Sequence, residues 1–199
     1  MKEVNYPAIE RARRDHAEQF VGLPNASGRT VGDFWAWAYS DILLNTTRGV
    51  LAEYLVVMAV GDGSVVRDAW APFDVSTREG VTVEVKSAAY LQSWSQKNLS
   101  KITFGCRPTM GTDDATGLYA GLQSRKCDVW VFALLHHEDP VTINPLDASH
   151  WSFWVVPTGW LDEHMATAKT ISLARLRASP YGQPFTVNEL ADAIQDVAV

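Results

Sequence analysis

Alternating residues of segment 81–87 place a carboxylate and an ammonium group on one face of a predicted strand. The sequence is VTVEVKS. Successive side chains of a strand point to opposite faces, so Glu84 and Lys86 share the face opposite the valines. The two charged residues are then about 7 Å apart along the strand. Since an edge strand with solvated charges has the same pattern, its meaning depends on the neighbouring segments.

The preceding segment, 73–77, supplies a second carboxylate through the turn that joins it to this strand. The connecting loop 78–80 ends in Gly80, and a three-residue hairpin loop favours a left-handed third residue, which glycine adopts without steric cost. This loop length pairs Asp74 directly with Glu84. A two-residue loop would turn Asp74 to the other face.

Two carboxylates directly opposite each other on a sheet repel unless something offsets their charge. A divalent cation offsets it, and hard oxygen ligands suit Mg²⁺ or Mn²⁺. The pairing of Asp74 with Glu84 therefore predicts a divalent-metal site with Lys86 beside it.

A third acid, Glu53, lies on the predicted helix 47–60. Its helical neighbours are a glycine and three valines: Gly49, Val50, Val56 and Val57. The helix itself therefore offers it no cation. Glu53 either meets a partner from another element or is a partly exposed surface residue, and both interpretations stay open.

The helix acid, the hairpin aspartate and the strand Glu-x-Lys, in this order, resemble the PD-(D/E)xK nuclease superfamily over residues 46–105. Phe73-Asp74 stands where the motif has Pro-Asp, with Pro72 displaced by one position. The stretch EVKSAAYLQSW is also similar to small bacterial restriction-endonuclease-like proteins. The resemblance implies a restriction-endonuclease-like α/β fold, in which helices flank a central mixed β-sheet, with extra N-terminal helices.

The resemblance also implies a Mg²⁺-dependent endonuclease that hydrolyses DNA phosphodiester bonds. Asp74 and Glu84, with the Val85 carbonyl, would hold the metal, which polarises the phosphate and activates a water. Lys86 would orient or deprotonate that water, or stabilise the developing charge. Glu53 would bind a second metal or hold a metal-bound water. Related endonucleases often dimerise to cut both strands, so a homodimer is a further expectation.

The segment after the lysine mixes polar, aromatic and basic side chains, as a DNA-binding surface does. Glutamines can bond adenine edges, and aromatic rings can stack on bases. Alternatively, Tyr90 and Trp94 cover the core and the lysines are solvated. The predicted nucleic-acid ligands are Gln92, Gln96, Lys97 and Lys101.

Composition and charge bound the class of protein. The chain has 199 residues, 47% of them apolar, and a net charge of −6, a globular rather than a disordered composition. Residues 85–126 nevertheless carry six basic and two acidic side chains, so the acidic total does not exclude a nucleic-acid partner. No apolar run approaches the ~20 residues of a membrane helix. With no secretory pattern at the N-terminus, we expect a cytoplasmic protein without a membrane partner.

The order of helices, strands and a final helix predicts one domain, 1–199, in three parts. A helical extension (1–45) precedes the catalytic core (46–105), and the rest of the sheet with a C-terminal helix follows (106–199). Cys106 and Cys127 are expected to be buried thiols. Five tryptophans lie in two short apolar segments, Trp35, Trp37, Trp151, Trp154 and Trp160. Most of these five are expected in the core. We expect helices over 7–20, 31–44, 47–60 and 186–197, strands over 65–71, 73–77, 81–87, 101–106, 128–135 and 151–157, and a polar loop over 107–124.

The function that the sequence favours is thus a metal-dependent DNA nuclease. One alternative is a catalytically inactive nucleic-acid- or protein-binding module on the same fold, with its acids in structural salt bridges. Another is an enzyme of the same fold that acts on a different phosphate-containing substrate.

Overall fold

The computed structural model describes residues 6, 9–22, 28–61, 63, 65–112 and 119–198. The chain forms two compact units, Met1–Ser40 with Ser64–Arg67 and Asp41–Gly63 with Asp68–Val199. In chain order the elements are α1 (Val31–Tyr39), α2 (Asn45–Val60), β1 (Val75–Ser76), β2 (Thr82–Ala89), β3 (Thr103–Gly105), β4 (Thr109–Thr112), β5 (Tyr119–Ser124), β6 (Val129–Leu135), β7 (Trp151–Pro157), α3 (Thr158–His164), β8 (Thr170–Ser172), α4 (Leu173–Arg177) and α5 (Leu190–Val197), with short 3₁₀ helices at Ala148–His150 and Val187–Glu189.

The larger unit is built on a four-stranded mixed sheet with the order β1-β2-β6-β7. β2 pairs with β1 in antiparallel and with β6 in parallel orientation, and β6 pairs with β7 in antiparallel orientation. All seven residues of β6 are buried, as expected for an apolar central strand covered on both faces. The expected mixed α/β architecture with flanking helices is confirmed.

Each face of this sheet has its own apolar core. On the helical face, α2 and α5 pack against alternate residues of the strands. This core includes Ala52, Val56 and Ile194 of the helices and Val83, Val85 and Val131 of the strands. On the opposite face, the β3–β8 pair, α3 and α4 pack against the intervening strand residues of the sheet. This core includes Phe104, Leu161 and Ile171 of the covering elements and Trp130, Phe132 and Trp154 of the sheet. Glu84 and Lys86 alternate with Val83 and Val85, so they lie on the opposite face.

The smaller unit contains α1, whose start is stabilised by a capping box. Thr30 Oγ1 accepts a hydrogen bond from Asp33 N at 3.2 Å, and Asp33 Oδ2 accepts one from Thr30 N at 2.8 Å. None of the residues of α1 is buried. Trp37 is 84% exposed and Trp35 38%, so these two are not among the tryptophans of the core, whereas Trp160 packs against it. Trp151 and Trp154 are buried as predicted.

The predicted helix 7–20 is wrong over its described part, since residues 9–20 contain no helix. Asp15 Oδ1 accepts from Ala17 N at 2.8 Å, and Glu18 Oε1 accepts from Asp15 N at 2.9 Å. These local side-chain acceptors satisfy backbone donors in a turn and so compete with helical hydrogen bonds. Residues 7 and 8 lie outside the described residues.

Two further predictions differ from the structure. Residues 65–71, predicted as a strand, have turns and bends instead, with Trp70 N donating to Asp68 Oδ1 at 2.9 Å. The predicted polar loop 107–124 contains the antiparallel pair β4–β5. These two strands form a sheet separate from the central one, and their sequence lacks the apolar alternation from which a strand is predicted. Residues 113–118 are not described.

The other predicted elements are present with shifted ends, whereas α3, β8 and α4 were not predicted. α1 ends at Tyr39, short of the predicted 44, and α2 ends where Gly61 N donates to Val57 O at 2.8 Å. Cys106 and Cys127 are buried free thiols, and burial raises the pKa of Cys127 to about 12. None of the described helices is long and apolar enough to cross a bilayer.

Candidate functional site

The β1–β2 hairpin has the register that its turn predicts. Val75 pairs with Val83, and Ser76 pairs with Thr82. Gly80 closes the turn at φ +89°, in the left-handed region that favours glycine. Asp74 lies just before β1, and its carboxylate and that of Glu84 both contact Lys86 Nζ. The two carboxylates are therefore close together as expected, whereas the direct pairing of Asp74 with Glu84 stays a prediction.

Asp74 is held against β2 by its own side chain. Its Oδ2 accepts a hydrogen bond from Val85 N at 2.8 Å, and its backbone N donates to Val83 O at 3.0 Å. The N–H and C=O of one strand residue point to the same side, so the Val85 carbonyl also faces the β1 edge. The carboxylates of Asp74 and Glu84 and the Val85 carbonyl therefore belong to one end of the hairpin.

Lys86 stands between the two carboxylates. Its Nζ forms an ion pair with Glu84 Oε1 and lies 3.8 Å from Asp74 Oδ2. It also lies 5.9 Å from the centroid of the Trp130 ring, on the strand residue that is paired with Glu84. The side chains of Asp74 and Glu84 are 19% and 20% exposed, and that of Lys86 is 35% exposed. The structure thus brings Asp74, Glu84 and Lys86 into one half-buried cluster, the acid–lysine cluster.

The burial of the acid–lysine cluster changes the ionisation of its members. Burial and the nearby charge of Asp74 raise the pKa of Glu84, and the Lys86 ammonium only partly offsets this. Burial alone would lower the pKa of Lys86, but the carboxylates of Glu84 and Asp74 outweigh it and raise that pKa. Lys86 is therefore a cation at neutral pH.

Glu53 lies on α2, which packs on the helical face of the sheet. Its charge is one of the smaller influences that raise the pKa values of Glu84 and Lys86. Within the described ranges, no three His, Cys, Asp or Glu side chains are arranged to hold a metal ion. Glu53 therefore does not complete a three-acid site with Asp74 and Glu84, and its role stays a prediction.

The two glutamines after β2 shape the loop in which they lie. Gln92 Nε2 donates to Ala89 O at 2.9 Å, and Gln96 Oε1 accepts from Gln92 N at 2.7 Å. Both amide groups also reach Ser100 Oγ, at 3.1 and 3.0 Å. These bonds bring the loop back to the end of β2, so the glutamines have a structural role that the sequence analysis did not anticipate.

The other predicted DNA ligands, Lys97 and Lys101, are exposed. Tyr90 packs against the core of the opposite face, as the alternative interpretation expects, whereas Trp94 is 53% exposed. DNA contact by the four predicted ligands stays a prediction.

Sequence reasoning missed two residues beside these groups. Trp130 has the pattern of a core residue, yet its ring borders Lys86, and its buried Nε1 has no hydrogen-bond partner among the described residues. Arg48, at the start of α2, is 3% exposed, although an arginine in a first helical turn suggests a solvated one. Neither position carries a sequence signal, because both contacts are made by other elements.

The protein is thus a mixed α/β protein in which two carboxylates and a lysine lie at the edge of the sheet. The family model of bacteriophage T4 endonuclease IV matches residues 37–159, which is more than half of the chain. The protein therefore belongs to the bacteriophage T4 endonuclease IV family, a family of nucleases. No curated protein matches the chain. The expected nuclease class is confirmed at this level, and the matched range includes the whole acid–lysine cluster.

Proposed function

We propose that this protein is a Mg²⁺-dependent endonuclease of the PD-(D/E)xK type that hydrolyses phosphodiester bonds of DNA at the acid–lysine cluster. The observation that carries the proposal is the position of the Lys86 ammonium between the carboxylates of Glu84 and Asp74. Membership of an endonuclease family supports the same chemistry.

The donors of the cluster fit a magnesium ion. Asp74, Glu84 and the Val85 carbonyl supply hard oxygen atoms at one end of the hairpin. Mg²⁺ is commonly bound by one or two carboxylates together with waters and substrate phosphate oxygens, so a three-acid cluster is not required. The ion, when bound, would neutralise phosphate charge and lower the pKa of a water.

Lys86 contributes a positive charge that is fixed before the substrate arrives. Two carboxylates hold its ammonium, and the Trp130 ring borders it at 5.9 Å. An ammonium at this place stabilises the negative charge that grows on the phosphate in the transition state. Since its pKa is raised, charge stabilisation and orientation of water suit Lys86 better than proton abstraction.

Asp74 acts as both a ligand and a positioning group. Its bond to Val85 N fixes the carboxylate at β2, which reduces the freedom lost when a cation binds. Half-burial of the two carboxylates also strengthens their attraction for a cation, because water screens them less than at an open surface.

Cleavage of supercoiled plasmid with Mg²⁺ tests the proposal through Glu84→Ala. We expect at least a hundredfold loss of rate, as is typical when a group that stabilises transition-state charge is removed. Glu79→Ala is the matched control, because Glu79 is an exposed carboxylate in the same hairpin, bonded to Gln195 Nε2 at 2.9 Å. Equal cleavage by the wild type and Glu84→Ala would refute the proposal.

The second candidate, an inactive binding module, is favoured by the same ion pairs. Lys86 already offsets the charge of the carboxylates, as it would in a structural salt bridge. Salt-sensitive DNA binding in a chelator, combined with no cleavage by the wild type, would favour this candidate.

A further inference from the structure

Arg48 is a buried cation whose hydrogen-bond partners among the described residues carry no charge. It is 3% exposed, and burial lowers its pKa from the ordinary value, although a guanidinium stays charged in proteins. Its partners are neutral oxygen atoms: Ser87 Oγ at 3.2 Å, Leu43 O at 2.9 Å, Gln92 Oε1 at 3.2 Å and Asn45 Oδ1 at 2.8 Å. Burying a charge without a counter-charge costs on the order of several kcal/mol in real proteins, a large fraction of a protein's whole stability.

The geometry leaves Arg48 one donor for a ligand. A guanidinium has five N–H donors, and four of them are used by these acceptors. Nη2 carries two hydrogens, and one of them is donated to Asn45 Oδ1. The other N–H of Nη2 has no acceptor in the described part of the chain. An anion at this position would gain a charge-assisted hydrogen bond and offset the buried charge.

An open pocket of about 360 Å³ adjoins Arg48 at the carboxyl end of β2. None of the described residues that line it is acidic, and the exposed Lys101 supplies a second positive charge. A water takes about 30 Å³ in the liquid, so the pocket admits a phosphate group with several waters. Its polar lining is formed by Asn45, Arg48, Ser87, Gln92, Ser100 and Lys101.

The start of α2 adds to the positive potential of this pocket. Asn45 and Arg48 belong to the first turn of this 16-residue helix, and the residue before it, Leu44, provides no side-chain cap. The first backbone N–H groups of a helix lack partners within it, and the helix dipole favours an anion there. The carboxylate of Asp41 accepts from Leu44 N at 3.1 Å just before the helix and offsets part of this effect, so the positive charge of the pocket comes mainly from Arg48 and Lys101.

We propose that this pocket, the Arg48 pocket, binds a phosphate group of the DNA backbone other than the one that is cleaved. The inference rests on the proposed function, because it assigns a second part of the proposed DNA substrate to a second place on the protein. Ser87, which bonds Arg48, follows Lys86 directly in β2, but strand alternation directs the two side chains to opposite faces. The Arg48 pocket would therefore hold the substrate outside the acid–lysine cluster. The ligand is a phosphodiester, and Arg48 and Lys101 recognise it by charge and not by base sequence.

Binding of a fluorescent DNA duplex in a chelator, measured by anisotropy at several salt concentrations, tests the proposal without cleavage. We expect Arg48→Lys, which keeps the charge but loses the guanidinium fork, to weaken binding about tenfold. Lys101→Gln should weaken binding and reduce the slope of log affinity against log salt by about one. Lys169→Gln, the same charge change at an exposed position outside the pocket, should leave affinity nearly unchanged.

Wild-type affinity and salt slope in folded Lys101→Gln, with wild-type affinity in Arg48→Lys, would overturn the proposal. If Arg48→Lys proves unfolded by circular dichroism, the surface variant Lys101→Gln decides alone. The two proposals fail separately: normal DNA binding by both variants with cleavage lost in Glu84→Ala removes only the pocket. Weakened binding in both, with normal cleavage by Glu84→Ala, removes only the catalytic assignment. A wild type that binds no DNA overturns the pocket as well.

Discussion

The acid–lysine cluster and the Arg48 pocket are neighbours on β2, but they bury charge in opposite ways. The cluster combines two carboxylates with one ammonium group, so its partners largely offset one another and leave a negative excess. The Arg48 pocket holds a guanidinium among neutral oxygen atoms, with Lys101 at its rim, and keeps its positive charge. The first arrangement favours an additional cation, whereas the second favours an anion.

This difference fits the two needs of phosphodiester hydrolysis. The reacting phosphate requires a cation and a polarised water. The DNA backbone on either side of that phosphate requires positive charge to hold it in position. One strand, β2, supplies residues to both places, with Glu84 and Lys86 in the first and Ser87 at the edge of the second. Under the two proposals, neighbouring residues of β2 therefore serve chemistry and substrate binding separately.

The largest effect that distinguishes the two regions is expected for Lys86→Met. The variant keeps the apolar stem but loses the charge, so cleavage should fall about a hundredfold or more. Mn²⁺ affinity, measured by calorimetry, should stay the same or increase, because the ammonium no longer competes for the carboxylates. A purely structural lysine would leave the cleavage rate per folded molecule unchanged.

Lys169→Met is the matched control for this experiment, since it removes an exposed positive charge outside both regions. It should cleave like the wild type. If Lys86→Met retained full cleavage while it folded normally, Lys86 would have no part in the reaction, and the contrast between the cluster and the pocket would lose its catalytic half.

A smaller effect is expected in the pH dependence of stability. Burial, followed by the charge of Asp74, raises the pKa of Glu84 in the folded protein, so folding favours its protonated form. Its contribution is fully present below the pKa of the unfolded chain and is lost as pH rises through the higher folded value. Glu84→Gln does not ionise and avoids this loss.

Urea unfolding of the wild type and Glu84→Gln in a chelator, between pH 4 and pH 7.5, checks this sign. The stability of the variant relative to the wild type should increase with pH. Both proteins share all other titrating groups, so the difference isolates Glu84. A difference that is constant or falls with pH would show that Glu84 is not destabilised by burial.

The cluster could be predicted from sequence because local rules determine it. The length of loop 78–80 and Gly80 set the hairpin register, and strand alternation then places Asp74, Glu84 and Lys86 together. The central strand β6 was equally predictable, since seven consecutive apolar residues are typical of a strand buried on both faces.

The Arg48 pocket could not be predicted, because its contacts come from distant parts of the chain. Arg48 meets Ser87, 39 residues away, and Gln92, 44 residues away. The failures elsewhere have related causes. The turn at Asp15 depends on side-chain hydrogen bonds, and the sequence of β4 and β5 lacks the apolar alternation by which a strand is predicted.

The most direct test of the central claim is a crystal structure of the protein soaked in Mn²⁺, with the ion located by its anomalous scattering. The account predicts a peak bound by the carboxylates of Asp74 and Glu84 and by the Val85 carbonyl, which disappears in Asp74→Asn. A fully soaked crystal with no peak between these oxygen atoms, or with one that persists in Asp74→Asn, would contradict it.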